Sequence, residues 1–232
     1  LPTDASNLVH RAATAFFATA KITDGIRIHL EKHIPMAAGL GGGSSNAAIT
    51  LLGLNEIFEQ PLKLAQLHTI AATLGSDVNF FLQDKPALAT GRGEQVTSLD
   101  DFAALRGASF LLIHPGFGIS TPWAYRELAR FPAALNGTPG RAQKLITQLQ
   151  SNDLTAAGRE FYNSLEAPAL AKYPVLALYQ EFLREQGAAA TLMSGSGSTT
   201  FAIFRNQSAA EAVVEKFKAR FGATCWTAVV PI

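Results

Sequence analysis

The residues best suited to chemistry lie in a glycine-rich loop that leads into a helix-forming stretch. The loop reads Gly39-Leu40-Gly41-Gly42-Gly43-Ser44-Ser45-Asn46. Glycine lets the backbone come close to a ligand, and a helix that starts at such a loop offers unpaired N–H groups and the positive end of its dipole. The two serine hydroxyls add donors or a magnesium contact. The loop therefore predicts a cradle for a nucleotide triphosphate.

This loop differs from the two best-known phosphate loops. A P-loop ends in Gly-Lys-Ser/Thr, whereas here Gly43 is followed directly by Ser44. The Rossmann fingerprint would need a third glycine at Ser44 and an acidic residue at the expected distance, and both are missing. A plain glycine-rich surface turn is the alternative, and the amphipathic helix that follows argues against it.

A second loop of glycine and serine, Ser194–Ser198, joins two predicted strands. A hairpin needs only one or two residues with positive φ, so five alternating small residues exceed what a turn requires. The open backbone around Gly195 and Gly197 could accept a ligand or another loop. A plain turn remains the alternative.

Several isolated side chains could act on a phosphate or an aromatic ring. Asp77 could orient the proton of a nucleophile, although by spacing alone a turn or cap aspartate is the favoured interpretation. Lys32 could neutralise phosphate charge or be solvated. Tyr125 lies one turn into a helix predicted to start with Thr121 as its cap, and aromatic residues more often belong to a core than to a ligand platform.

The elements that position these residues follow from apolar spacing and from breakers. The first part of the chain predicts helices over 8–20, 47–58 and 62–74, a half-buried strand over 25–31, and a strand from 87 that enters a tight turn at 91–94. Gly75 is expected to end its helix as a C′ residue. The second part predicts strand, helices, hairpin, helix and strand, the order of a ferredoxin-like split β-α-β module. A domain boundary is placed near Gly107.

The composition restricts the class of protein. The 232 residues are 48% hydrophobic and 16% charged with a net charge of +1, which gives no electrostatic footprint for nucleic acid or an anionic membrane. The single Cys225 and scattered histidines predict neither a disulfide nor a metal centre. No apolar run reaches the length of a membrane span, and the first residues do not predict a signal peptide. The chain starts at Leu1 in loop-like sequence, which suggests the remainder of a longer protein.

Four motifs together resemble the GHMP kinase superfamily in order and spacing, from about Asn7 to the C-terminus. They are Pro35–Ala48, Leu74–Val78, Gly91–Glu94 and Leu192–Phe204. The resemblance implies an α+β, two-domain GHMP kinase fold: an incomplete N-terminal, ATP-binding domain over 1–107, a ferredoxin-like split β-α-β domain over 108–232, and an active site in the cleft between them.

The same resemblance implies a reaction. The form of the first motif is typical of the members that use ATP and Mg²⁺ to phosphorylate the 2-hydroxyl of 4-diphosphocytidyl-2-C-methyl-D-erythritol, in non-mevalonate isoprenoid precursor synthesis. A cytoplasmic monomer or homodimer with a small-molecule substrate, and without nucleic acid or membrane partners, is expected. Another GHMP kinase, acting on homoserine or a sugar, and a non-catalytic nucleotide-binding protein are the alternatives.

The resemblance also assigns roles to residues. Asp77 matches the catalytic aspartate, Gly39 to Asn46 match the triphosphate loop, and Asn7 and Lys32 match positions beside the nucleotide. Substrate-side residues are Thr121, Tyr125, Gly195 and Gly197, with Tyr125 as a cytosine platform. The family's initial Lys-x-Asn-Leu strand has no counterpart here, so we expect the lysine partner of the aspartate to be missing and a chain of this length to transfer phosphate poorly.

Overall fold

The computed structural model describes residues 1–135 and 138–232. These residues form two compact units, each assembled from two stretches of chain. The first unit comprises Leu1–His33 and Gly41–Asp101, and the second comprises Ile34–Leu40 and Phe102–Ile232. The division therefore falls inside the glycine-rich loop, between Leu40 and Gly41. The domain boundary near Gly107 stays a prediction.

The first part of the chain is mainly helical, and the strands of the larger sheet all lie in the second part. The α-helices are α1 (Leu8–Ala20), α2 (Gly42–Ile57), α3 (Leu64–Leu74), α4 (Thr121–Leu128), α5 (Pro132–Leu135), α6 (Arg141–Gln150), α7 (Leu154–Gly158), α8 (Glu166–Lys172), α9 (Val175–Glu185) and α10 (Gln207–Phe221). The strands are β1 (Ala87–Thr90), β2 (Gln95–Ser98), β3 (Ser109–His114), β4 (Ala190–Met193), β5 (Thr200–Phe204) and β6 (Trp226–Pro231). Short 3₁₀ helices span Asn79–Leu82 and Ala103–Leu105.

In the first unit, α1, α2 and α3 pack together around one apolar core. Phe16, Leu51 and Leu67 are among its fully buried side chains. The helix predicted over 8–20 is confirmed at both ends. Asn7 caps its start by accepting the N–H of Val9. The antiparallel hairpin of β1 and β2 completes the regular structure of the unit.

The half-buried strand predicted over residues 25–31 is wrong. The segment 22–33 contains neither helix nor strand, and the alternating side chains of Ile26 and Ile28 are 38% and 41% exposed. A strand needs a neighbour to accept and donate its backbone hydrogen bonds. No strand of the described residues pairs with this segment, so its apolar face has no core to enter.

The second unit is built on an antiparallel sheet with the order β4-β5-β3-β6. Numbered within the unit, this order is 2-3-1-4, the arrangement of the ferredoxin-like split β-α-β module, so the fold prediction is confirmed. Both faces of the sheet are covered. Ala202 and Phe204 face one buried cluster, which includes α9 and α10, and the intervening Ile203 faces another, which includes α6 and α7. Across residues 1–135 and 138–232, no helix has the length and apolarity needed to cross a membrane.

Candidate functional site

The glycine-rich loop supplies the first turn of α2. Gly41 is the N-cap of the helix, and its carbonyl accepts the N–H of Ser45 at 2.9 Å. A Cβ at Gly41 would lie 2.7 Å from the ring of Phe81, so only glycine fits here. The N–H groups of the first turn have no partner within the helix, which makes this end suited to an anion. No hydrogen bond joins the hydroxyl of Ser44 or Ser45 to another described residue.

Lys32 and Asn7 lie in the same unit as this helix start. The Nζ of Lys32 donates to Oδ1 of Asn46 at 2.6 Å, and partial burial lowers the pKa of that lysine. Asn7 uses its side chain to cap α1 and to donate to the carbonyl of Pro2. The side chain of its neighbour Leu8 lies close to Gly43, since a Cβ on Gly43 would be 3.4 Å from Cδ1 of Leu8. The ammonium group of Lys32 therefore lies beside the start of α2. Asn7 has a structural role, and its role beside a nucleotide stays a prediction.

Asp77 occupies the turn between α3 and the 3₁₀ helix Asn79–Leu82. Gly75 ends α3, as predicted; it is the C-cap, its N–H donates to the carbonyl of Ala71, and its φ of 174° is extended backbone. The Asp77 side chain is exposed and has no hydrogen bond or ion pair with any other described residue. Its carboxylate is thus open to accept a proton. The 3₁₀ helix that follows it carries Phe81, the ring against Gly41.

A buried amide that no sequence motif indicated holds a second turn beside Asp77. Asn79 is 5% exposed; its Nδ2 donates to the carbonyl of Glu94, and its Oδ1 contacts Nδ1 of His68 at 3.1 Å. A Cβ on Gly93, in that second turn, would be 3.5 Å from Oδ1 of Asp77. The sequence feature that could have indicated Asn79 is its position as a polar residue inside the apolar run Val78–Leu82.

The second glycine loop, Ser194–Ser198, contacts the first part of the glycine-rich loop within the second unit. The Oγ of Ser194 donates to the carbonyl of Gly39 at 2.8 Å, and the N–H of Thr199 donates to the carbonyl of Ala38 at 3.1 Å. A Cβ on Gly39 would overlap the carbonyl oxygen of Ser194 and lie 2.9 Å from the backbone nitrogen of Gly197. This backbone-to-backbone packing explains why small residues are needed in both loops.

Thr121 lies beside the same second loop, and Tyr125 follows it on α4. The predicted cap of α4 is wrong by one residue: Ser120 is the N-cap and accepts the N–H of Trp123. Thr121 instead directs its hydroxyl to Oγ of Ser196 at 2.7 Å. Tyr125, one helical turn further, is 62% exposed, so it is not a core residue. The structure thus brings Thr121 and the loop containing Gly195 and Gly197 together and leaves an aromatic ring open to solvent.

The base of the second loop is buried and polar. His114 is 6% exposed, and burial lowers its pKa, which favours the neutral imidazole. Its Nδ1 contacts Oγ of Ser198, and that hydroxyl also donates to the carbonyl of Phe117. These contacts fix the end of the loop where it enters β5. The described residues contain no group of three or more His, Cys, Asp or Glu side chains placed to hold a metal ion.

Two family descriptions match the chain. "GHMP kinases N terminal domain" covers residues 7–91, and "GHMP kinases C terminal" covers residues 131–223. The chain therefore belongs to the GHMP kinases. Members of this family are ATP-dependent phosphotransferases, in agreement with the resemblance drawn from the motifs.

Two curated relatives carry the name 4-diphosphocytidyl-2-C-methyl-D-erythritol kinase. The relative from Synechococcus sp. (strain JA-3-3Ab) is 41% identical over 88% of this chain and 66% of its own length. That from Thermodesulfovibrio yellowstonii is 37% identical over 98% of this chain and 79% of its own. The chain thus spans about two thirds to four fifths of the length of these two relatives.

Solved structures agree on the fold. A crystal structure of 4-(cytidine 5'-diphospho)-2C-methyl-D-erythritol kinase has a TM-score of 0.76 and 31% identity, covering 100% of this chain and 81% of its own. A homoserine kinase from Cytophaga hutchinsonii has a TM-score of 0.80 at 24% identity, covering 99% and 76%. The second likeness describes the fold alone.

Proposed function

We propose that this protein transfers the γ-phosphoryl group of ATP to the 2-hydroxyl of 4-diphosphocytidyl-2-C-methyl-D-erythritol. The relatives that bear this name at 37–41% identity support the acceptor. One structural observation carries the reaction type: in the first unit, Gly41 at the start of α2 packs on Phe81, four residues beyond Asp77, whose carboxylate has no partner among the described residues. An anion-binding helix start and an open carboxylate thereby belong to one packed unit.

The proposed chemistry relies on positioning and charge. The backbone N–H groups at the start of α2 and the hydroxyls of Ser44 and Ser45 bind the triphosphate, and Lys32 offsets part of its negative charge. Asp77 accepts or orients the proton of the acceptor hydroxyl as that oxygen attacks the γ-phosphorus. This step needs no covalent intermediate on the protein.

Magnesium fits this site as an ion that arrives with the nucleotide. Mg²⁺ retains waters and takes one or two protein ligands together with substrate phosphates, so it does not require an acidic cluster. The Ser45 hydroxyl, which has no other partner among the described residues, would be one ligand. When bound, the ion offsets the negative charge of the phosphate oxygens.

The second unit supplies the substrate side of the proposal. Thr121 and the loop containing Gly195 and Gly197 would contact the acceptor, and the exposed ring of Tyr125 would stack on its cytosine. We assign the nucleotide and acceptor functions to domains 1–107 and 108–232. We place the enzyme in the cytoplasm as a monomer or homodimer that acts on a small molecule without a nucleic acid partner.

Acceptor choice tests the proposed function. Purified protein is incubated with γ-labelled ATP, Mg²⁺ and one acceptor at a time: the cytidine-linked methylerythritol, homoserine or galactose. Label on the cytidine-linked acceptor alone supports the proposal. Transfer to homoserine or galactose instead would assign the protein to another kinase of the family. Tight ATP binding without transfer to any acceptor, even after a Lys-x-Asn-Leu strand is added, would favour a non-catalytic nucleotide-binding protein.

A Gly43→Ala substitution separates phosphate binding from stability. The added methyl meets only Leu8 Cδ1 at 3.4 Å, so the fold accepts it, and alanine favours the helix by up to about 1 kcal/mol. If the triphosphate approaches this backbone, the same methyl obstructs it. We expect the Kd for ATP, measured by calorimetry, to rise about tenfold, the equivalent of roughly 1.4 kcal/mol, while the melting temperature holds or rises.

Gly53→Ala is the matched control within the same helix. Nothing lies within 4 Å of a Cβ at Gly53, so this change should give the same gain in stability. The Kd for ATP should stay at the wild-type value. Equal nucleotide affinity in the two variants would place the triphosphate away from the first turn of α2.

A further inference from the structure

Two side chains, one just before α8 and one within it, hold the end of β4. Asn163 donates from Nδ2 to the carbonyls of Met193 at 2.8 Å and Gly195 at 2.7 Å. Its Oδ1 accepts the N–H of Leu165, which fixes the amide orientation. Glu166 accepts the N–H of Met193 at 2.7 Å through Oε1.

The geometry of the sheet explains why Met193 needs these partners. β4 is an edge strand, and Met193 lies opposite Thr200 in its pairing with β5. The next residue, Ser194, donates its N–H to Thr199, so the backbone groups of Met193 point away from β5. Asn163 and Glu166 satisfy both of these groups. They therefore set the position from which the second glycine loop departs.

That loop in turn positions the first part of the glycine-rich loop. Ser194 donates to the carbonyl of Gly39, and a Cβ on Gly195 would be 3.1 Å from the same oxygen. The contacts form a chain inside the second unit, from Asn163 and Glu166 through Met193–Gly195 to Gly39. Apart from the Ser194 hydroxyl, the contacts with Gly39 are between backbones, so a displaced loop has little flexible structure to absorb the shift.

Glu166 is an uncommon choice for a purely structural role. Its carboxylate is largely desolvated, which raises its pKa, and no described lysine or arginine forms an ion pair with it. Its second donor is Nε2 of the buried Gln180 at 2.5 Å. A carboxylate makes shorter and stronger hydrogen bonds to N–H donors than a neutral acceptor does. Holding the loop rigidly is a function that would offset the free-energy cost of burying the Glu166 carboxylate.

We propose that Asn163 and Glu166 are positioning residues for nucleotide binding, acting through the Met193–Gly195 backbone on Gly39. The proposal rests on the proposed function only in that the glycine-rich loop binds a triphosphate. It does not depend on which acceptor is phosphorylated. Neither side chain is required to touch the substrate.

The test compares nucleotide affinity and turnover in variants. Asn163→Ala removes both donations to the loop, and we expect the Kd for a non-hydrolysable ATP analogue and the KM for ATP to rise about tenfold or more. Measurements are made well below the melting temperature of each variant. Glu166→Gln keeps the size of the side chain but loses the charge, so we expect a smaller change in the same direction.

Two matched controls use residues of the same unit. Asn206 caps α10 by accepting the N–H of Ala209, so Asn206→Ala costs stability without touching the loop. Glu160 pairs with Lys144 and Arg141 and has no hydrogen bond to Met193–Gly195 among the described residues, so Glu160→Gln removes a carboxylate without touching the loop. Both controls should keep the wild-type Kd and KM. If Asn163→Ala changes affinity no more than Asn206→Ala does, the positioning role is wrong.

A second variant tests the same line of contacts should Asn163→Ala fail to fold. Ser194→Ala removes only the hydroxyl that donates to Gly39, and it should also weaken binding of the analogue. Where both single variants fold, their double variant should lose less affinity than the product of the two effects, since both act through one contact. Independent effects would contradict the proposal. Because the readout is nucleotide binding, it holds even if the acceptor assay identifies a different substrate.

Discussion

Replacing Asp77 by asparagine is expected to lower kcat by about 10²–10⁴-fold, the usual contribution of a positioned general base. Asparagine keeps the shape of the side chain but has no carboxylate to accept the proton of the acceptor hydroxyl. Asp77 is exposed and unpaired among the described residues, so its replacement should leave the melting temperature close to wild type. The Kd for ATP should likewise change little. Steady-state kinetics with both substrates, together with calorimetry, separates these quantities.

Asp84→Asn is the control for this experiment. Asp84 is also exposed, lies seven residues further along the same unit, and is subject to the same change of charge. Its substitution should leave kcat unaltered. If Asp77→Asn retains wild-type kcat, the proton of the acceptor must go elsewhere, and the turn interpretation of this aspartate would be correct.

Gly39→Ala is expected to damage both stability and nucleotide binding. Its Cβ would overlap the backbone carbonyl of Ser194, and its φ of 77° lies in the left-handed region that disfavours alanine. Overpacking and backbone strain together should cost roughly 3 kcal/mol or more. For a protein of this size that corresponds to a fall in melting temperature of roughly 6–12 °C. The carbonyl of Gly39 would also leave Ser194, so the Kd for ATP should rise in the fraction that remains folded.

Gly158→Ala separates these two effects. Its Cβ would overlap the backbone carbonyl of Ala189 as closely as that of Gly39 overlaps Ser194, but at the opposite end of β4 from the second glycine loop. Thermal unfolding should show a clear loss of stability of roughly 1–3 kcal/mol. Calorimetry on the folded protein should give wild-type affinity for ATP. A rise in Kd matching that of Gly39→Ala would mean that general loosening of the second unit is enough to weaken binding.

Local sequence patterns predicted most of the regular structure, because the forces that decide it act over a few residues. Helix α1 was predicted at both ends, since Asn7 provides a cap and the following residues favour a helix. The cap of α4 was assigned to Thr121 instead of Ser120, because two adjacent hydroxyl residues before Pro122 serve equally well by pattern. The strand over 25–31 depended on a partner, which its own alternation does not supply.

The site was predictable in composition but not in its contacts. Glycine content predicted both loops, whereas Asp77 was predicted as the catalytic residue only from the resemblance to GHMP kinases, because spacing alone favoured a turn aspartate. The contact between Ser194 and Gly39 joins residues 155 positions apart, and Asn163 lies 30 positions from Met193. Pairings of this kind depend on the tertiary fold, for which a single sequence gives no local signal. Asn79 was missed for a similar reason, because its partners are His68 and the carbonyl of Glu94.

The covering of β4 also bears on how this protein behaves at high concentration. An edge strand with free backbone groups invites another chain to add a strand, and this is a common start of aggregation. Here Gly158 lies against the carbonyl of Ala189 next to one end of β4, and Asn163 and Glu166 occupy the groups of Met193 at the other. Only the short middle of a four-residue strand is left open. The segment 158–166 therefore covers both ends of this strand edge against pairing with another chain.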